Sequence, residues 1–228
     1  MSVHENLQHI VSKIEAAARR SGRNPGDIKI IAVTKHVPAD RIKKVLDTGI
    51  EDLGENRVQE MITKAEQLPP QARWHMIGHL QTNKVKGVVG RVELIHSLDR
   101  WKLAQEIDRQ ATEQDLIVPM LIQVNVSGED TKFGINSSEL MDFLVALQDL
   151  HHIKVKGLMT IAPYVDNPEE TRPFFRELRL LGGRCNEKLP GSGLELLSMG
   201  MTNDFEVAVE EGANMLRLGT AIFGARRY

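Results

Sequence analysis

A lysine closes the run Ile28-Lys-Ile-Ile-Ala-Val-Thr-Lys35, and its position suits covalent chemistry. Ile30, Ile31, Ala32 and Val33 follow one another without the alternation of a half-exposed strand, which predicts a strand covered on both faces. Pro38 cannot extend that strand and Ala39 onward has helical patterning, so Lys35 falls where a buried parallel strand gives way to its helix. In an α/β barrel that edge is the functional face. A lysine there gives up part of its hydration, which favours the free amine and its attack on a carbonyl. Schiff-base chemistry is the specific reading of Lys35. The plain one is a lysine whose head snorkels from a strand end into solvent.

Two further groups lie near the C-terminus. Ser198-Met-Gly-Met-Thr202 and Gly219-Thr220 combine glycines, which let backbone amides approach an anion, with the hydroxyls of Ser198, Thr202 and Thr220. A phosphate fits such loops, although turn glycines and helix-capping hydroxyls draw on the same residues. Arg217 interrupts Met215-Leu-Arg-Leu218, and strand alternation sets it on the face opposite its apolar neighbours. An arginine facing a barrel interior needs an acceptor. A buried acid would serve, and so would the ring nitrogen of a pyridine. An aldehyde for Lys35, a phosphate for the two loops and a ring nitrogen for Arg217 together describe pyridoxal phosphate. Because arginine only donates, that nitrogen would stay unprotonated and the ring would be a weak electron sink, which suits limited chemistry or plain binding.

These groups converge only if the chain closes on itself. The pattern predicts strands at 28–35, 50–53, 74–77, 94–96, 118–126, 155–159, 194–197 and 215–218. Helices are expected over 39–47, 58–68, 83–89, 100–113, 138–147, 169–186 with an interruption at Gly182-Gly183, and 204–211, with a short final turn from Ala221. Eight strands, each followed by a helix, argue a single (β/α)8 barrel over a doubly wound open sheet. In such a barrel the loops after strands seven and eight build the usual phosphate site. Ser2-Val-His-Glu5 has the spacing of a capping box, and Val3, Leu7, Ile10, Ile14 and Ala17 form one face of an extra N-terminal helix, placed either across the barrel floor or at a partner interface.

At 228 residues, one barrel domain is the expectation. A net charge of -2 gives no electrostatic reason to expect nucleic acid or an anionic membrane as partner. The lone Cys185 excludes an internal disulfide and any multi-cysteine metal site, and His75 and His79, split by Gly78, do not share a helical face that would suit zinc. No apolar run reaches the ~18 residues of a membrane span, and the N-terminus lacks signal-peptide character, so a cytoplasmic location is expected.

Ile30-Ile-Ala-Val-Thr-Lys35, Gly54-Glu-Asn-Arg-Val-Gln-Glu60, Trp74-His-Met-Ile-Gly78 with Leu80-Gln-Thr-Asn-Lys84, Gly157-Leu-Met159, Leu197-Ser-Met-Gly-Met201 and Arg217-Leu-Gly-Thr-Ala-Ile-Phe-Gly224 resemble, in order and almost end to end, the pyridoxal phosphate homeostasis protein family. The resemblance implies a barrel of the alanine racemase N-terminal type with pyridoxal phosphate on Lys35 as a Schiff base. It also implies phosphate contacts from Ser198, Gly200, Met201, Thr202, Gly219 and Thr220, Arg217 at the ring nitrogen, and Asn56 and His75 lining the ring. Thr202-Asn203-Asp204 departs from the serine and acid expected after Ser-Met-Gly-Met, although a threonine hydroxyl still reaches a phosphate.

Racemases of related fold use a second base, a tyrosine from a separate C-terminal domain. This sequence stops at Tyr228, soon after strand eight, so no second domain is expected, and Tyr164 and Tyr228 are its only tyrosines. The resemblance therefore implies a non-catalytic, monomeric binder that buffers the cofactor or delivers it to dependent apoenzymes, with effects on amino-acid and keto-acid balance. A weak racemase or other amino-acid enzyme using Lys35 as base, with Tyr164 or His75 as the second, is the alternative. A barrel in which Lys35 condenses with a phosphosugar is the third reading.

Overall fold

The computed structural model describes residues 2–129 and 131–224; Tyr228, considered above as a second base, lies outside the described residues. The strands are β1 (Lys29–Val33), β2 (Asp52–Glu55), β3 (Arg73–Met76), β4 (Leu94–Leu98), β5 (Val118–Asn125), β6 (Ile135–Asn136), β7 (Ile153–Met159), β8 (Leu196–Ser198) and β9 (Met215–Leu218). All pairings are parallel, in the order β4-β3-β2-β1-β9-β8-β7-β5-β6, and a further β4–β5 pairing closes eight of them into a barrel. The two-residue β6 hangs on the outer end of β5 and was not foreseen. β2 lies two residues later than the pattern suggests, because Gly54 and Glu55, read as loop, are buried strand residues.

The helices are α1 (Val3–Arg20), α2 (Ala39–Leu46), α3 (Val58–Ala65), α4 (Trp101–Thr112), α5 (Leu140–Leu147), α6 (Arg172–Lys188), α7 (Phe205–Glu210) and α8 (Thr220–Phe223). The segment after β3 is a 3-10 helix, Thr82–Gly87, rather than an α-helix. α6 runs unbroken through Gly182-Gly183, since Phe175, Leu178, Leu181 and Cys185 carry its buried face.

α1 begins in the expected capping box, with Ser2 Oγ accepting from Glu5 N and Glu5 Oε2 accepting from Ser2 N. It does not lie across the floor. It packs on α7, α8 and α2, with Asn6 Nδ2 donating to the Ile222 carbonyl and Arg23 to those of Val209 and Ala213. The reason is the length of α8: four residues cannot cover the seam between β9 and β1, so α1 supplies the missing outer helix.

Most of the apolar core fills the layer between sheet and helices. A second cluster, Leu94, Leu121, Met159 and Met215 with Leu196, comes from strands alone and therefore lies inside the barrel. Beside it the interior carries polar groups, with His75, His96, Ser198 and Arg217 all buried. No helix among the described residues is long and apolar enough to cross a membrane.

Candidate functional site

Lys35 is half-buried in a turn just past β1. Thr34 N–H donates to the Gly54 carbonyl at 3.0 Å, extending the ladder one residue, and Val37 N–H donates to the Thr34 carbonyl at 2.8 Å to close the turn. His36 carries the bend at φ 61, a left-handed conformation that costs a β-carbon-bearing residue ~1–3 kcal/mol. The strain is held from below. Lys64 Nζ, almost fully buried, donates to the Thr34 carbonyl at 2.6 Å, to Glu55 Oε1 at 2.6 Å and to Glu60 Oε1 at 2.7 Å. Thr34 Oγ1 donates to Glu55 Oε1 and His36 N–H to Glu60 Oε1, both at 2.6 Å. All three ammonium protons are thus spent beneath the turn, while the Lys35 amine has no hydrogen-bond partner among the described residues.

The loops after β8 and β9 are tied to each other, because Thr202 Oγ1 accepts from Ala221 N–H at 3.1 Å. Asp204 Oδ1 accepts from Met201 N–H at 2.6 Å, whereas the amides of Thr202 and Thr220 have no acceptor among the described residues. Gly219 sits against β1: a Cβ there would stand 3.4 Å from Val33 Cβ, two residues before Lys35. Gly200 has φ 90, and a Cβ there would meet Ala208 Cβ at 2.5 Å. Gly200→Ala is therefore expected to lose about 2–4 kcal/mol from backbone strain plus overpacking, read as a lower denaturation midpoint.

Arg217 spans the interior between two acceptors, Nη1 donating to Ser198 Oγ at 2.7 Å and Nη2 to the Thr160 carbonyl at 2.8 Å. Burial pushes its pKa down to about 10 against the opposing charge of Asp204, so it stays a cation at neutral pH. From Ser198 a chain of contacts runs deeper: Ser198 Oγ to His96 Nδ1, His96 Nε2 to His75 Nδ1, and His75 Nε2 to Asp52 Oδ1, each at 2.9 Å. Burial, with the positive charge of Arg217 close by, holds His96 well below the usual imidazole range. Asp52 also accepts from Arg73 Nη2 at 2.8 Å.

Burial acts to raise the Asp52 carboxyl, but hydrogen bonds from His75 and Arg73 outweigh it and hold the group well below the usual carboxylate range. A depressed folded-state pKa contributes stability that is complete above the unfolded value near ~4 and is lost as pH falls through the folded one. Asp52→Asn is thus expected to cost about 2–4 kcal/mol at pH 7 and to flatten the acid side of the stability profile, measurable by urea unfolding from pH 2 to pH 7.

The structure joins Ser198 to Arg217 and Thr202 to the α8 loop, and sets Gly219 beside the β1 end that leads to Lys35. Asn56 is half-buried past the end of β2, where Gly78 approaches so closely that a Cβ would stand 2.6 Å from the Asn56 carbonyl oxygen. Met201 and Thr220 are exposed at the rim. His75 is fully buried with both ring nitrogens committed inside the barrel. Sequence reasoning missed Asp52, His96, Thr160, Glu55 and Lys64. For His96 a signal existed, a histidine embedded in the apolar strand Leu94-Ile-His96.

Known proteins share this fold. Residues 6–227 match the model of the alanine racemase N-terminal domain. A pyridoxal phosphate homeostasis protein from Aquifex aeolicus (strain VF5) is 44% identical over 229 residues, covering 100% of both chains. The chain belongs to the pyridoxal phosphate homeostasis protein family. Within reach of that family by structure, a crystal structure from Bifidobacterium adolescentis superposes with a TM-score of 0.90 at 32% identity, covering 97% of this chain and 94% of that one. PipY of Synechococcus elongatus PCC7942, solved with PLP bound, has a TM-score of 0.83 at 36% identity, covering 93% of this chain and 100% of that one.

Proposed function

We propose that this protein binds pyridoxal 5'-phosphate at the C-terminal mouth of its barrel and serves the homeostasis of that cofactor, by buffering it or delivering it to dependent apoenzymes, without a catalytic cycle of its own. The relatives named above support the ligand class: homeostasis proteins by name, and PipY with PLP bound.

The residues present suit the group. Bound, it supplies an aldehyde that condenses with an amine and a pyridine ring that withdraws electrons when its nitrogen is protonated. Lys35 offers the amine for a Schiff base from a held turn; the loops of Gly200, Met201, Thr202, Gly219 and Thr220 would hold a phosphate through the amides of Thr202 and Thr220, which have no acceptor among the described residues, and through the threonine hydroxyls. Arg217 would meet the ring nitrogen with the guanidinium protons that Ser198 and Thr160 leave unspent. Asn56 borders the ring from the β2 side.

The observation that carries the non-catalytic reading is the anchoring of Arg217. A cation fixed at two points can only donate, so the ring nitrogen it meets stays unprotonated and carbanion chemistry is weakly supported. The racemase alternative needs a second base. His75 has both nitrogens engaged in the core, and Tyr164 is 82% exposed. The protein acts as a monomer in the cytoplasm on this reading. The test is α-proton exchange: holo protein incubated with a panel of amino acids in deuterated water should give no α-deuteration above free cofactor, and exchange of any one of them that depends on Lys35 would establish the enzyme instead.

A further inference from the structure

Between Arg217, which can only donate, and the Asp52 carboxylate, which can only accept, lie four contacts and three groups: the Ser198 hydroxyl and two imidazoles. With both rings neutral each group has one hydrogen, so the ends dictate one direction. His75 must donate from Nε2 to Asp52 and accept at Nδ1; His96 must donate from Nε2 and accept at Nδ1; Ser198 must donate its O–H to His96 and accept from Arg217. Adding a proton to His75 reverses the far end: His96 then donates from Nδ1 and the serine hydrogen swings away from it. The charged and titratable groups that bear on the pair are Asp52 on β2, Arg73 on β3, Lys29 at the start of β1, and Arg217 on β9.

We propose that Asp52, through His75 and His96, fixes the Ser198 hydroxyl inward, so that Ser198 acts on the bound cofactor by positioning Arg217 at the ring nitrogen and not by donating to the phosphate. Asp52, His75 and His96 are positioning residues of the cofactor site. This rests on the pyridoxal phosphate reading above and assigns a role to the buried groups which that reading left idle. The single direction also explains how four polar side chains fill a barrel interior at no unsatisfied hydrogen-bond cost.

Two measurements test it. Nitrogen-15 NMR of the histidine-labelled protein should show His96 as a neutral Nε2-protonated tautomer at pH 7.5, with its Nδ1 resonance moved by Ser198→Ala. A His96 protonated at Nδ1 overturns the proposal. The second compares pyridoxal phosphate with pyridoxal, which lacks the phosphate, by equilibrium dialysis. Ser198→Ala and His96→Gln should each weaken both ligands by one common factor, on the order of tenfold for a lost hydrogen bond to a charged group. A loss confined to the phosphorylated ligand makes Ser198 a phosphate donor and overturns the proposal, as does wild-type affinity in both folded variants. If the wild type itself takes up neither ligand, the cofactor reading fails and this one fails with it.

Discussion

Lys35→Ala is expected to yield a folded, colourless protein whose retention of pyridoxal phosphate falls by at least ~100-fold, because condensation with the amine is a bond that no neighbouring group replaces. The phosphate and ring contacts remain, so weak reversible uptake should persist at high ligand concentration. Stability should barely change, within ~0.5 kcal/mol, since the side chain is half-buried and makes no hydrogen bond among the described residues. Lys35→Arg sharpens the result by keeping the charge and losing the chemistry: it should be as colourless as the alanine variant. Visible absorption and equilibrium dialysis of the three proteins read both effects. A yellow Lys35→Ala protein would move the covalent site elsewhere.

Lys64→Ala is expected to be the most destabilising single change in the chain's upper half, costing about 3–5 kcal/mol. It leaves Glu55, with a side chain 0% exposed, without its cation, and strips the Thr34 carbonyl of a donor. The effect reaches the site because Lys64 and Glu60 brace the turn whose left-handed His36 follows Lys35. Pyridoxal phosphate uptake should therefore weaken in Lys64→Ala although residue 64 touches no ligand. Removing both charges in Lys64→Met with Glu55→Leu should recover much of the stability, since a buried pair offsets its desolvation with little to spare. Urea unfolding of the two single variants and the double variant measures this coupling. If their losses simply add, the buried pair does not act as a unit.

The barrel was legible because its strands are covered on both faces: the apolar run before Lys35 and the short Met215-Leu-Arg-Leu218 both announce themselves locally, and counting them set the loops after β8 and β9 beside each other, where Ala221 N–H donates to Thr202 Oγ1. Arg217 was legible for the same reason, as one cation out of step with its apolar neighbours. The role of α1 was not, because it depends on the shortness of α8 more than two hundred residues away. Nor was the unbroken course of α6, where the buried face of Phe175, Leu178, Leu181 and Cys185 carries the helix through two glycines that suggest a break. The Asp52–His75–His96–Ser198 chain was invisible for a deeper reason. Its members stand on β2, β3, β4 and β8, separated by 21 to 102 residues in sequence, and only closure of the barrel turns four unremarkable residues inward together.

We propose that Lys35 is the residue on which the cofactor rests. The most direct measurement is borohydride reduction of the protein loaded with pyridoxal phosphate, followed by proteolysis and mass mapping. A single pyridoxyl adduct at Lys35, at close to one per chain, is the predicted result. Adducts scattered over exposed lysines, or a dominant one at any other position with Lys35 unmodified, would contradict the site described here.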